Sequence, residues 1–179
     1  MNKTSIVPPL RFVFLMWLFF AVEQTFGLNL GRLGVLPRTL DGTLGIVTAP
    51  LVHGSIWHII SNTFPMLVLG TVLYFFYSKI ATQVFLMCYV FSGILLWLFG
   101  RPVYHIGASG LAYGLAAFLM AMGFFRRDVK SILITVVIIF MYGGLVYGVL
   151  PLRAGVSWEG HLFGAIVGVG TAWLLRKPD

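Results

Sequence analysis

Long apolar segments separated by short polar or glycine- and proline-containing connections make up most of the chain. Each of six such segments is long enough to cross a bilayer as an α-helix, which takes about 20 residues. They lie near Leu10–Asn29, Ile56–Tyr77, Ala81–Phe99, Ala108–Phe125, Val129–Leu150 and Trp158–Leu175. A signal peptide is the alternative reading of the first segment, but no convincing cleavage site follows Glu23 and Gln24. The pattern predicts an all-α polytopic membrane protein, with residues 1–179 forming a single six-span domain.

Composition supports this reading and excludes other classes. Hydrophobic residues make up 59% of the chain and charged residues 9%, whereas a soluble domain carries roughly 25% charged residues. The net charge is +7, but the chain has little polar surface to which a nucleic acid could bind. We therefore expect the basic side chains to lie at lipid head groups. The lone Cys88 rules out an internal disulfide. We therefore expect the protein to lie in a lipid bilayer and not to bind nucleic acid.

The distribution of Lys and Arg predicts the orientation in the membrane. If the N-terminus is cytoplasmic, the cytoplasmic side carries Lys3, Arg11, Lys79, Arg126, Arg127, Lys130, Arg176 and Lys177. The opposite side carries Arg32, Arg38, Arg101 and Arg153. Because cytoplasmic loops are enriched in basic residues, this excess predicts a multi-pass protein of the plasma (inner) membrane with both termini in the cytoplasm.

The connections on the outer side differ in length. Residues 30–55 form a long, semi-apolar stretch with Gly and Pro throughout, and we expect it to fold back on the protein because lipid does not tolerate exposed irregular backbone. Residues 150–157 form a short loop that is able to move as a flap. The inner connections are minimal, so we expect any chemistry on the outer side.

Polar residues from three different spans share one depth. Ser109 lies in the first turn of the fourth span, and His161 lies about one turn into the sixth. His58 and Asn62, at the outer end of the second span, are four residues apart and share one helix face. Ser109 and Tyr113 have the same spacing. Because ionisable groups inside a membrane are costly and usually functional, this shared depth predicts a site.

Small residues predict how two of these spans meet. They recur at four-residue intervals on spans four and six, as Gly110, Gly114, Gly160, Gly164 and Gly168. Such faces let helix backbones approach closely. The approach would bring Ser109 beside His161, whose imidazole is then able to take the hydroxyl proton.

Each piece also has a purely structural reading. A serine between small residues often serves helix packing, a single histidine in a span is often only hydrogen-bonded, and Asn62 is able to tie helices together. His53 and His105, in or near loops, are read as structural or solvated. A small transporter or metal-binding protein that uses the four histidines is a rival, but neither a nearby carboxylate nor a cysteine pair accompanies them, so we expect no metal and no cofactor.

The combined motifs resemble those of the rhomboid intramembrane serine proteases. The matching stretches are HGSIWHIISN (residues 53–62), GASG (residues 107–110) and GHLFGAIVG (residues 160–168). Their order, spacing and six-span setting are similar to the minimal bacterial form. The resemblance covers nearly the whole chain.

By this resemblance, Ser109 would be the nucleophile and His161 its general base, in a dyad without an aspartate. Tyr113 would stack on the catalytic histidine. His58 and Asn62 would help the Ser109 backbone N–H to stabilise the oxyanion.

The resemblance also assigns supporting roles. Gly107 and Gly110 would flank and support the nucleophile, the loop near Arg153 would cap the site, and span five would be the side of substrate entry. The expected partners are transmembrane protein substrates, cleaved in or near their membrane segments.

Two departures from related patterns stand out. The Trp-Arg pair common in the family's first loop is missing, and Arg38 in LPRTL (residues 36–40) is a partial equivalent. The G-x-S-x-G elbow of soluble hydrolases is not met, because Leu111 occupies its last position. An alternative function is that of a catalytically inactive rhomboid-like protein that binds membrane clients, although such proteins usually lack the serine or the histidine.

Overall fold

The apolar segments form helices close to their predicted positions. The computed structural model describes residues 5–152 and 155–177. Its α-helices are α1 (Val7–Phe26), α2 (Asp41–Thr48), α3 (Ile56–Phe76), α4 (Ala81–Phe99), α5 (Ser109–Arg126), α6 (Val129–Tyr142) and α7 (Trp158–Leu174). Short 3-10 helices occupy Leu30–Leu33, Ala49–Leu51 and Gly143–Val149. Within these residues the β-structure is one isolated antiparallel bridge between Val35 and His105, so the predicted all-α fold is confirmed.

The helices identify a multi-pass membrane protein. Within the described parts of the chain, five stretches are long and apolar enough to cross a membrane: α1, α3, α4, α5, and α6 together with its 3-10 continuation. The sixth predicted span corresponds to α7, which has 17 residues. At a rise of 1.5 Å per residue it is about 26 Å long, slightly shorter than a typical hydrocarbon core of about 30 Å.

Two spans differ from their predicted limits for local reasons. α1 begins at Val7, earlier than predicted, because Pro8 and Pro9 fall in its first turn, where a missing N–H costs nothing. It ends at Gly27, whose φ of 61° is the left-handed conformation that closes many helices. The fifth span changes from α to 3-10 geometry at the Gly143-Gly144 pair, since adjacent glycines weaken an α-helix.

Glycines bring α5 and α7 into backbone contact, as the four-residue spacing predicted. A Cβ added at Gly164 would collide with the carbonyl oxygen of Gly110, and one at Gly168 would collide with that of Gly114. A Cβ at Gly110 would lie 3.1 Å from the carbonyl oxygen of Gly160. The α5–α7 seam, which we define as these five glycines, therefore sets the distance between the two helices.

The long first connection folds back on the bundle, as predicted. Its helix α2 packs against α4, where a Cβ at Gly93 would meet Ile46. Arg38 donates from Nη1 to the carbonyl oxygens of Leu98 (3.2 Å) and Gly100 (2.9 Å) at the end of α4. The loop is thus fixed to the end of the bundle where α4 ends.

Two sequence predictions rest on residues outside the described parts of the chain. Arg153, at the centre of the predicted cap, and Lys3, counted in the predicted orientation, both lie there.

Candidate active site

Ser109 and His161 meet at the end of the α5–α7 seam where both helices begin. Ser109 is the first residue of α5, and His161 is the fourth residue of α7 and 8% exposed. The distance between His161 Nε2 and Ser109 Oγ is 2.8 Å, which is within hydrogen-bond range for a nucleophile and its base. The approach predicted from the glycine spacing is therefore present in the structure.

A backbone carbonyl orients the histidine. His161 Nδ1 lies 2.8 Å from the carbonyl oxygen of Gly148, in the 3-10 continuation of α6. Because a carbonyl oxygen only accepts, Nδ1 carries the hydrogen and Nε2 is left as the acceptor of the Ser109 hydroxyl proton. The sequence reading found no carboxylate for this task and missed Gly148, since a main-chain oxygen leaves no side-chain signal.

The ring of Tyr113 stacks on the ring of His161. Its ring is parallel to that of His161, with centroids 4.1 Å apart and an angle of 5° between the planes. A Cβ at Gly148 would collide with the Tyr113 hydroxyl. The glycine therefore leaves room for the ring pair and, through its carbonyl, holds the imidazole in place.

His58 lies against the backbone that leads into Ser109. Gly107 has a φ of 102°, and a Cβ there would lie 2.5 Å from His58 Nε2. Any side chain at Gly107 would therefore be strained and would displace the imidazole. Because α5 begins at Ser109, the N–H groups of Ser109 and Gly110 lack an intrahelical acceptor. The His58 ring thus lies against the turn that precedes the N–H groups of Ser109 and Gly110.

Asn62 shares a helix face with His58, as its spacing predicted. It is 4% exposed, and its Nδ2 donates to the carbonyl oxygen of His58 at 2.8 Å. The amide is therefore held by its own helix, with its second N–H left to serve another acceptor.

His53 is a buried structural histidine. It is fully buried; its Nε2 accepts from the Ala108 N–H at 3.4 Å, and its Nδ1 donates to the carbonyl oxygen of Leu51 at 3.4 Å. Burial, and then the nearby His58, lower the pKa of His53 to about 4, against the opposing effect of the Leu51 bond. The neutral ring thereby supports the residue before the candidate nucleophile.

His105 and Glu159 fasten the α4–α5 connection to the start of α7. His105 Nε2 donates to the carbonyl oxygen of Arg101 at 3.0 Å, so its Nδ1 accepts from the Ser157 hydroxyl at 2.7 Å. Glu159 is paired with the Arg101 guanidinium, whose Nη2 lies 3.0 Å from Oε2. This carboxylate is directed to Arg101, and the hydrogen-bond partners of His161 are Gly148 and Ser109 instead.

Two cavities meet at the dyad. The larger has a volume of about 600 Å³, is lined by His161, Tyr113, Gly148, Tyr147 and Leu150, and lies on the α6 side. The smaller, of about 40 Å³, is lined by Ser109, His105 and Ser157 among others. A water molecule needs roughly 10–15 Å³ of such space. The site therefore has room for a chain segment on one side and for water on the other.

Comparison with known proteins gives one family. A family model described as the Rhomboid domain matches residues 41–178, which begins at α2. An uncharacterized protein of Mycobacterium tuberculosis is 38% identical over 179 residues, covering 95% of this chain and 75% of the relative. One of Mycobacterium leprae is 37% identical, covering 95% and 71%. A protein of Acanthamoeba polyphaga mimivirus, named a putative rhomboid protein, is 28% identical over 138 residues, covering 70% and 71%.

Proposed function

This chain belongs to the rhomboid family, and we propose that it is an intramembrane serine endopeptidase that cleaves other membrane proteins in or near their transmembrane segments. The observation that carries the proposal is the hydrogen bond between His161 Nε2 and Ser109 Oγ, with His161 Nδ1 held by the Gly148 carbonyl. A client-binding protein without catalysis would not need a nucleophile, a base and an orienting acceptor in one line.

Acyl transfer follows from this geometry. Ser109 Oγ attacks the scissile carbonyl carbon while its proton passes to His161 Nε2. His161 then gives that proton to the leaving amine, and the peptide C–N bond breaks to leave an acyl-enzyme on Ser109. Water, deprotonated by the same Nε2, attacks the ester carbon; the C–Oγ bond breaks, and Nε2 returns the proton to Ser109 Oγ.

Negative charge on the carbonyl oxygen requires donors at the start of α5. The Ser109 N–H and the His58 ring are the donors that we assign, with the second Asn62 N–H completing the set. Hydrogen bonds of this type act on charge that develops only in the transition state, so they lower the barrier more than they tighten substrate binding.

Asn62→Ala tests the amide's part in this set. We expect kcat to fall by roughly 10²-fold, the lower end of the usual loss for one oxyanion donor, because the other donors remain. The melting temperature in detergent should change little, since the lost bond is to the amide's own helix. The result that removes Asn62 from the site is a lowered melting temperature with normal turnover per folded molecule.

The pH dependence of cleavage tests the base. His161 Nε2 accepts a proton only when the ring is neutral, and an ordinary histidine has a pKa of about 6.5. We expect kcat/KM to rise about tenfold per pH unit on an acidic limb and then to level off.

Folding has to be measured over the same pH range. The lowered pKa of His53 means that the folded state binds fewer protons than the unfolded state between pH 6.5 and about 4. The contribution of His53 to stability is therefore fully present above pH 6.5 and is lost as the pH drops through that window. Rates are to be expressed per folded molecule; a flat profile after that correction contradicts a histidine base.

We assign the protein to the plasma membrane with both termini in the cytoplasm. In this orientation the dyad opens to the outer side of the membrane. The 600 Å³ cavity beside α6 is the space that we assign to the substrate segment. A substrate helix has to unwind there to expose a carbonyl, so segments with helix-weakening residues and a small residue before the cut should be favoured.

The proposal is tested by reconstitution. The purified protein is placed in liposomes with a fluorescently tagged single-span substrate, and fragments are identified by mass spectrometry. Cleavage in or next to the span supports the protease, provided that Ser109→Ala liposomes give none. Binding of the substrate without cleavage favours the client-binding alternative.

A further inference from the structure

A basic cavity lies at the end of the bundle opposite the dyad. It has a volume of about 300 Å³ and lies where α3 and α5 end and α4 and α6 begin. Its walls are Phe76, Tyr77, Ser78, Lys79, Ile80, Arg126 and Lys130. Neither the dyad nor its supporting residues take part in it.

Two of the three cationic side chains that line the cavity lie over the ring of Tyr77. The Tyr77 ring centroid lies 5.3 Å from Lys130 Nζ and 5.6 Å from Arg126 Cζ. Tyr77 is 4% exposed and donates through its hydroxyl to Ser131 Oγ at 3.1 Å, so the ring is fixed. Lys130 also donates to the Phe76 carbonyl oxygen. Two positive charges thus lie near the same ring. An anion bound between them would stabilise this arrangement, because it would offset their mutual repulsion.

The surrounding protein does not neutralise these charges. Among the described residues at this end of the bundle, the basic ones are Arg11, Lys79, Arg126, Arg127, Lys130, Arg176 and Lys177, and the carboxylate is Asp128. Asp128 accepts from the Ser131 N–H (2.9 Å) and hydroxyl (2.7 Å) as the cap of α6. The Ser131 N–H and, to a smaller extent, Arg126 hold its pKa below the usual value. Asp128 does not line the cavity.

The position of the cavity indicates which kind of anion it binds. Membrane-spanning helices begin and end around it, which places it at the level of the lipid phosphates. Exposed apolar side chains adjoin it, namely Phe75, Phe76, Phe124 and Val129. A phosphate linked to acyl chains is able to contact both the cationic and the apolar side chains, whereas free phosphate contacts only the cationic ones.

We propose that Lys79, Arg126 and Lys130 form a binding site for the phosphate of an anionic phospholipid. Lysine ammonium groups supply point charges to the phosphate oxygens, and the acyl chains lie along the neighbouring phenylalanines. The site is separate from the candidate active site, so it holds whether or not the protein is a protease.

Lipid titration in detergent tests this proposal. The melting temperature of the full chain is followed as phosphatidylglycerol is added, with phosphatidylcholine and inorganic phosphate as parallel titrations. We expect phosphatidylglycerol alone to raise it in a saturable way. Lys79→Gln and Lys130→Gln should each raise the half-saturating concentration roughly fivefold, and Lys130→Arg should restore it.

Arg127→Gln is the matched control. Arg127 lies at the same end of the bundle, but its Nε donates to the Phe124 carbonyl and it does not line the cavity. This variant should titrate like the wild type. An equal loss in Arg127→Gln means a diffuse surface attraction and overturns the site. Equal stabilisation by phosphatidylcholine, or by inorganic phosphate, overturns the assignment to an anionic lipid.

Discussion

Replacing Ser109 with alanine should abolish peptide-bond hydrolysis while leaving the bundle folded. The hydroxyl of Ser109 is hydrogen-bonded to His161, and its loss removes the covalent route altogether. We expect kcat to fall by roughly 10⁴-fold or more for Ser109→Ala and for His161→Ala, in line with other serine hydrolases. The double variant should be hardly worse than either single one, because the two residues act as one unit.

Ser92→Ala serves as the matched control. Ser92 is also a helical serine; it is buried, and its hydroxyl donates to the carbonyl oxygen of Cys88 in its own helix. Cleavage rates and melting temperatures are measured for all four variants and the wild type. Full cleavage by Ser109→Ala, or additive losses in the double variant, would show that another residue is the nucleophile.

A methyl group at Gly164 should both destabilise the bundle and impair the dyad. The added Cβ collides with the backbone oxygen of Gly110, which cannot rotate away as a side chain does. We expect a cost of about 1–3 kcal/mol in the free energy of unfolding, as for other overpacked interfaces. Since the seam also sets the distance from Ser109 to His161, a shift of 1 Å should lower kcat by roughly 10²-fold.

Gly170→Ala separates this effect from helix propensity. Gly170 lies on the same helix, and a Cβ there meets nothing within 4 Å. Its alanine variant should be as active as the wild type and at least as stable, because alanine favours the helix. Equal stability and activity of the Gly164→Ala and Gly170→Ala proteins would mean that the seam does not hold the dyad.

The spans and the helix pair of the site could be predicted because each has a strong one-dimensional signal. Apolar length locates a membrane helix, and glycines at four-residue intervals mark the faces where Gly110 and Gly164 meet. The folding back of the first loop also followed from its semi-apolar character, because such a backbone needs partners.

Other features depend on three-dimensional contacts that the sequence does not encode locally. The orienting acceptor of His161 is the main-chain oxygen of Gly148, a group that every residue carries and that therefore gives no signal in the sequence. The Gly143-Gly144 pair was visible in the sequence, but its effect on span five depends on packing around it. The bond from Asn62 to the His58 carbonyl uses one amide N–H and leaves the second for another acceptor, a division that the spacing of the two residues does not predict.

Covalent labelling of Ser109 tests the central claim most directly. The protein in detergent is treated with a fluorophosphonate, which transfers its phosphonyl group to an activated serine hydroxyl and loses fluoride, and the labelled peptide is identified by mass spectrometry. We expect one adduct on Ser109, strongly reduced in His161→Ala and unaffected in Ser92→Ala. An unlabelled Ser109 in a folded protein, or labelling that persists at full level in His161→Ala, would contradict the assignment of a Ser109–His161 dyad.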